Sequence, residues 1–207
     1  MVGKQRLSVV ALVGNWRSTT NGRGILRNGE VTEVKTLVTG GVRSGKSRHA
    51  EALLADFSRV TYVAPGPTIA EDPDPDWAAR IRAHQERRPA HWTTLETRDL
   101  VEALRTPGPV VVDCLGTWLA AVLDQRGLWE AASEDAFAVI TELLDQAVEV
   151  LAERDQVVLV TNEVGLGVIP AHRSGRMFRD LLGVVNQSLA DACDEVHLVI
   201  AGRVLVL

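Results

Sequence analysis

The stretch Val34-Lys35-Thr36-Leu37-Val38-Thr39-Gly40-Gly41-Val42-Arg43-Ser44-Gly45-Lys46-Ser47 decides the fold. A short apolar run ends at Thr39, and Gly40 to Ser47 satisfy G-x-x-x-x-G-K-[ST], the loop that joins a strand to a helix around a phosphate. Each fixed position has a physical reason. Glycines let the backbone take positive φ and approach an anion. Amide N–H groups and a helix N-terminus then point at the phosphate oxygens. Lys46 reaches the β- and γ-phosphates and Ser47 offers its hydroxyl to Mg2+. Gly40, Gly41, Val42, Arg43, Ser44, Gly45, Lys46 and Ser47 are therefore candidate nucleotide-binding residues, Lys46 is also a candidate catalytic residue, and Ser47 a candidate metal ligand.

Outward from this loop, short apolar runs alternate with helical spacing. Val34–Thr39, Val60–Ala64, Val110–Cys114, Val157–Thr161 and Val196–Ala201 are the expected strands. Several are apolar without alternation, as strands covered on both faces are. Helices are expected at Lys46–Asp56, Asp76–Arg88, Arg98–Arg105, Leu115–Gln125, Ser133–Arg154 and Gly175–Ala192, with Arg203–Leu207 as a final edge strand. The order predicts an α/β, single-domain P-loop NTPase fold over residues 34–207, with an open, mostly parallel sheet flanked by helices. Residues 1–33, rich in Asn, Gly, Thr and Arg after position 14, read as a flexible N-terminal extension. One plain explanation of that extension is a start assigned too far upstream, with Val31 or Val34 as the true beginning.

Composition narrows the function. The 207 residues carry 22 Lys+Arg against 27 Asp+Glu, a net charge of −5, so nothing draws the whole chain to nucleic acid or an anionic membrane. No apolar stretch approaches the roughly 20 residues that span a bilayer. Leu7 to Val13 follow Lys4 and Arg6 in the manner of a secretory leader, but Gly14-Asn15-Trp16-Arg17 stand where a small-residue cleavage site belongs. Cys114 and Cys193 have neither C-x-x-C spacing nor a nearby His pair, which predicts buried thiols in a reducing cytoplasm rather than a disulfide or zinc site.

Two further features carry chemistry. Val110-Val111-Val112-Asp113 ends an apolar strand in an acid, the second metal partner that a phosphate loop needs, although Asp113 could instead cap the helix that follows. In the helix from Asp76 to Arg88, His84 falls on the stripe of Trp77 and Ile81 and also between Arg80 and Arg88 at i−4 and i+4. Flanking cations disfavour protonation and leave a ring nitrogen as a nucleophile that faces phosphate. A packed core histidine is the plain alternative. Arg173, Arg176 and Arg179 repeat at three-residue spacing, either as a solvated face or as an anion site or subunit contact.

From Thr36 to Gly202 the chain resembles the bifunctional adenosylcobinamide kinase / adenosylcobinamide-phosphate guanylyltransferase family of cobalamin biosynthesis. The resemblance rests on Thr39 to Arg48, Tyr62-Val63-Ala64, Ala79-Arg80-Ile81 with His84, and Arg88-Pro89-Ala90-His91-Trp92. It continues through Asp113-Cys114-Leu115 with Trp118-Leu119, Thr161-Asn162-Glu163-Val164-Gly165 with Pro170, and Arg176 to Asp180 with Gly183, Asn186 and Gln187. It implies phosphorylation of the corrinoid by ATP or GTP, then transfer of GMP from GTP to adenosylcobinamide phosphate, giving adenosylcobinamide-GDP and pyrophosphate. It further implies that His84 is the guanylylated residue, that Glu96 and Asp113 bind nucleotide, and that the protein is a cytoplasmic homo-oligomer, a trimer; Arg88, from its place beside His84 on the helix, is a candidate to hold nucleotide phosphates, and Asp113 a candidate Mg2+ ligand with Ser47. A simple P-loop kinase with His84 as a packing residue, and a nucleotide-dependent switch, are the rival readings.

Overall fold

The computed structural model describes residues 26–27, 30–31 and 34–207. Most of the extension at 1–33 thus lies outside the described residues; within it, strands β1 (Leu26–Arg27) and β2 (Glu30–Val31) pair antiparallel. The main sheet contains β3 (Lys35–Gly40), β4 (Thr61–Val63), β5 (Thr93–Leu95), β6 (Val110–Asp113), β7 (Val157–Val160), β8 (Glu195–Ile200) and β9 (Arg203–Val206). Its order is β5-β4-β6-β7-β3-β8-β9, and every pairing is parallel except β8 with β9. The connecting helices are α1 (Lys46–Leu53), α2 (Pro75–Arg87), α3 (Leu100–Arg105), α4 (Leu115–Gln125), α5 (Ser133–Ala152) and α6 (Arg173–Asp191), with one 3-10 turn at Leu128–Glu130.

The unbroken apolar strands are explained by burial on two sides. Side chains alternate across a pleated strand. Leu37, Val110, Val112, Val157 and Leu159 accordingly pack with α3, α4, α5 and α6, while Val38, Val111, Val158 and Val160 pack with Ala50 of α1, Tyr62 and Trp92. A strand with helices over both faces needs no polar side.

Helix starts follow local chemistry. Pro75 opens α2 behind Asp74, whose Oδ1 accepts from the N–H groups of Asp76 and Trp77 at 2.8 and 2.9 Å. Asp99 does the same for α3, accepting from Val101 and Glu102 at 2.9 and 3.0 Å. Helix α1 ends at Leu53 rather than Asp56 because the chain tightens into turns in which Leu54, Ala55 and Phe57 donate three residues back. Strand β5 escaped the sequence reading. Thr93 and Thr94 are exposed at a sheet edge, and only the preceding Trp92 is buried, so no apolar run marks it. The β8–β9 hairpin turns on Ala201 and Gly202, both at positive φ (50° and 75°), as a two-residue turn matched to strand twist requires.

At the end of β3, Gly40 lies against Val199 of β8, and a Cβ there would stand 2.4 Å from the Val199 carbonyl oxygen and 2.8 Å from Ser44 Oγ. Gly40→Ala is therefore expected to force two strands apart, at about 1–3 kcal/mol and a melting midpoint lower by about 2–4 °C per kcal/mol. A thermal unfolding midpoint equal to the parent's would contradict this packing.

Candidate active site

The parallel strands release their C-terminal ends at one rim, where the loop of residues 40–47 is pinned from two sides. The Glu163 N–H donates to the Gly40 carbonyl at 3.1 Å, and the Gly202 N–H donates to the Ser44 carbonyl at 2.8 Å. Gly45 starts α1 at φ 100°, and Arg43 also holds a positive φ of 56°, a conformation uncommon outside glycine that concentrates at functional loops. Lys46 is 5% exposed, and its Nζ makes one hydrogen bond, to the Gly41 carbonyl at 3.3 Å. Burial pulls its pKa down, opposed by the nearby acids Cys114 and Asp113. Ser44 Oγ is buried without a partner. A buried ammonium with donors to spare and an unmatched hydroxyl in the same loop fit an incoming phosphate.

Asp113 ends β6 at the same rim. It is not the cap of α4, a position that Cys114 holds. Its Oδ2 instead accepts from the Tyr62 hydroxyl at 2.8 Å. Burial and the Asp113 charge raise the Tyr62 pKa well above its ordinary value, so the phenol keeps its proton and donates. His84 Nδ1 stands 3.5 Å from the Tyr62 hydroxyl, 3.7 Å from Asp113 Oδ2 and 3.4 Å from Arg87 Nη2. Both His84 and Asp113 are largely covered, with side chains 22% and 6% exposed.

The electrostatics of His84 differ from the flanking-arginine expectation. Its pKa is lowered, but burial is the largest cause, and the cations that contribute are Arg87 and Arg80, while Asp113 pulls the other way. Arg88 has turned aside: its guanidinium stacks 3.3 Å from the centre of the Tyr62 ring and donates to Thr94 Oγ1 at 3.1 Å. Arg80 lies over the Trp77 ring. With the imidazole neutral near pH 7, its contact with Asp113 is an oriented dipole against a charge rather than an ion pair.

Sequence reasoning passed over three residues of this cluster. Arg87 forms a forked pair with Glu51 of α1, Nε and Nη2 each 2.6 Å from a carboxylate oxygen, and so ties α2 to the helix of the phosphate loop. Glu51 could have been suspected from its place one turn after Ser47, and Tyr62 as the sole tyrosine beside a strand end. Glu51, His84 and Asp113 bring ligand-type atoms within 4.8 Å of one another. Arg87 takes both oxygens of Glu51, however, so this group carries its own cation.

A small cavity beside His84, walled by Trp77, Ile81, Arg88 and Thr117, shares Gly66, Thr68 and Glu96 with an adjoining groove of about 760 Å³ that runs between α3, α4 and α5. Glu96 is exposed where the two meet. The arginine series on α6 is not an open anion site. Arg173 donates to the carbonyls of Trp129 and Ala131, Arg176 to those of Pro170 and Ala171, and Arg179 pairs with Asp180. Cys114 is buried and Cys193 half-buried, and both are free thiols.

These contacts fix the signs of a titration. The His84 imidazole is expected to titrate below 6.5, the ordinary histidine value, in an NMR pH series on the free protein. Asp113→Asn should move the midpoint lower still and Arg87→Ala should move it higher, because the first removes a favourable charge and the second an unfavourable one. A midpoint above the ordinary value, or shifts of opposite sign, would contradict the buried geometry.

Comparison with known proteins agrees with the motif reading. Residues 36–207 match the model of the family described as cobinamide kinase / cobinamide phosphate guanyltransferase. The chain is 41% identical over 176 residues to the bifunctional adenosylcobalamin biosynthesis protein CobU of Salmonella typhimurium, covering 80% of this chain and 95% of that one. The protein of the same name from Escherichia coli K12 is 42% identical over 176 residues, with the same shares of each chain. The bifunctional adenosylcobalamin biosynthesis protein CobP of Pseudomonas aeruginosa is 35% identical over 177 residues, 82% of this chain and 94% of that one. On its phosphate loop, its sheet and these relatives, the chain belongs to the cobinamide kinase / cobinamide phosphate guanyltransferase family.

Proposed function

We propose that this protein phosphorylates adenosylcobinamide with ATP or GTP and then transfers GMP from GTP to the new phosphate through a covalent guanylyl-His84 intermediate. The observation that carries the reading is the orientation of His84: Nδ1 meets Tyr62, Asp113 and Arg87, and none of these contacts engages Nε2. We place the ring proton on Nδ1, facing the Tyr62 oxygen at 3.5 Å and the Asp113 carboxylate at 3.7 Å, against the Arg87 Nη2 at 3.4 Å, which can only donate. That tautomer leaves the lone pair on Nε2, and low basicity keeps it unprotonated near neutral pH.

In the kinase step the acceptor hydroxyl attacks the γ-phosphorus in line with the bridging oxygen, which leaves with the nucleoside diphosphate. Lys46 and the loop amides hold the charge that spreads over the transferring group. In the guanylyl step Nε2 attacks the α-phosphorus of GTP, a P–N bond forms, and pyrophosphate departs toward the loop of residues 40–47. A phosphate oxygen of the corrinoid then attacks the same phosphorus, the P–N bond breaks, and His84 regains its lone pair. Two displacements replace one direct reaction between two anions. Ser47 and Asp113 would hold Mg2+, which supplies charge neutralisation on the phosphates when bound. The nucleoside would extend from His84 between Trp77 and Ile81 to Glu96, whose carboxylate is the acceptor that a guanine N1–H and amino edge need.

No helix among the described residues is long and apolar enough to cross a membrane. The reading includes a cytoplasmic homo-oligomer, a trimer. The exposed apolar side chains Ile200, Leu205, Val206 and Leu207 at the β8–β9 edge of the sheet support a contact between copies.

The test is to incubate the protein with Mg2+ and GTP labelled at the α-phosphate, beside His84→Ala. Acid-labile, base-stable label on the denatured parent, and none on the variant, is expected. Equal label on both, or none on a parent that still binds GTP, would return His84 to a packing role.

A further inference from the structure

The reaction geometry of the preceding reading, on which this inference rests, fixes the side from which the acceptor must come. Nε2 of His84 attacks the α-phosphorus opposite the departing pyrophosphate, so the guanylyl group afterwards presents its open face toward the loop of residues 40–47. The corrinoid phosphate has to enter where pyrophosphate left. The kinase step makes the same demand, because the γ-phosphoryl group lies in that loop and its in-line partner approaches from the loop mouth. In that pose the groove beyond Glu96 lies on the nucleoside side, away from both in-line approaches.

The chain that runs on from beside the loop is unusual for a protein surface. The chain leaves β7 through Thr161 and Asn162, and Glu163 bonds its N–H to the carbonyl of Gly40 itself. Past Val164, which packs against the core, the chain turns apolar side chains into solvent: Leu166 is 87% exposed, Val168 95% and Ile169 64%. Val42, within the phosphate loop, is 74% exposed. The far end of the segment is held. Arg176 donates to the carbonyls of Pro170 and Ala171 at 3.0 and 2.7 Å, and Gly175 leaves room for the Pro170 ring, whose Cβ would lie 2.9 Å from any Cβ added there. A surface turn with three large aliphatic side chains in water and both ends fixed is not left so by the needs of the core, since none of the three is buried.

We infer that the segment Leu166 to Ile169, with Val42, is the platform on which the apolar face of the corrinoid acceptor rests during both transfers. A corrin ring carries methyl groups on its faces and amides around its edge. Aliphatic side chains fit the faces, and a ring seated on this segment hangs its aminopropanol arm over the loop mouth. One platform then serves kinase and guanylyl transfer alike, because both draw the arm to the same point.

The test uses the full chain with Leu166→Ser, Val168→Ser and Ile169→Ser combined, and Val168→Ser alone as a milder change. Circular dichroism and size-exclusion chromatography monitor fold and assembly. In the triple variant, KM for adenosylcobinamide in the kinase step and for adenosylcobinamide phosphate in the transfer step should both rise about tenfold or more, with a smaller rise in the single variant. Labelling by GTP without corrinoid should match the parent. An unchanged KM in both steps would overturn the platform. So would a variant that dissociates into smaller species and regains the parent KM at high protein concentration, since a second copy of the chain would then be the occupant. Failure of the underlying reading would appear elsewhere, as a parent that takes no label from GTP.

Discussion

Parallel pairing of β3, β7 and β6 is the constraint on which the site depends. Because Gly40 and Asp113 both end strands that run the same way on either side of β7, the phosphate loop and the acid emerge at one rim without any loop having to carry them there. Parallel neighbours require long crossovers, and the helices in those crossovers bury both faces of the sheet. The same arrangement that makes the strands uniformly apolar therefore leaves their C-terminal ends as the place where polar groups gather, the crevice where open α/β sheets bind ligands.

At that rim, burial and charge act against each other with different results for each group. Lys46 and His84 are both made less basic by burial, and both have Asp113 as an opposing charge. For histidine, whose ordinary value is already near 6.5, any lowering favours the neutral ring near pH 7. One acid thus lies close enough to act on the charge of both groups. Tyr62 lies between that acid and the histidine, donating a hydrogen bond to Asp113 while its oxygen faces His84 Nδ1. Glu51 holds Arg87 by a forked pair, so the guanidinium lies beside the imidazole without depending on it for a partner.

Much of this was legible in the residues. The G-x-x-x-x-G-K-[ST] spacing from Gly40 to Ser47 marks strand, turn and helix at once, and helix α4 begins and ends where the spacing places it, at Leu115 and Gln125. His84 was legible as a candidate from its shared apolar and cationic stripe. The identity of its neighbours was not: helical spacing points to Arg80 and Arg88, whereas Arg88 turns to the Tyr62 ring and Arg87 takes its place through a residue of another helix. Such pairings depend on how α2 docks against α1 and β4, which no local pattern records. Strand β5 was missed for the opposite reason, since an edge strand of Thr-Thr-Leu has almost no buried surface to write a pattern.

The central claim is that the Tyr62–Asp113 pair commits Nδ1 of His84 and so makes Nε2 the atom that carries the guanylyl group. Phosphorus–nitrogen correlation by NMR on the 15N-histidine-labelled protein, after reaction with Mg2+ and GTP, reads the bonded nitrogen directly. The account predicts coupling of phosphorus to Nε2 of His84. Coupling to Nδ1, or to a different histidine, would contradict it.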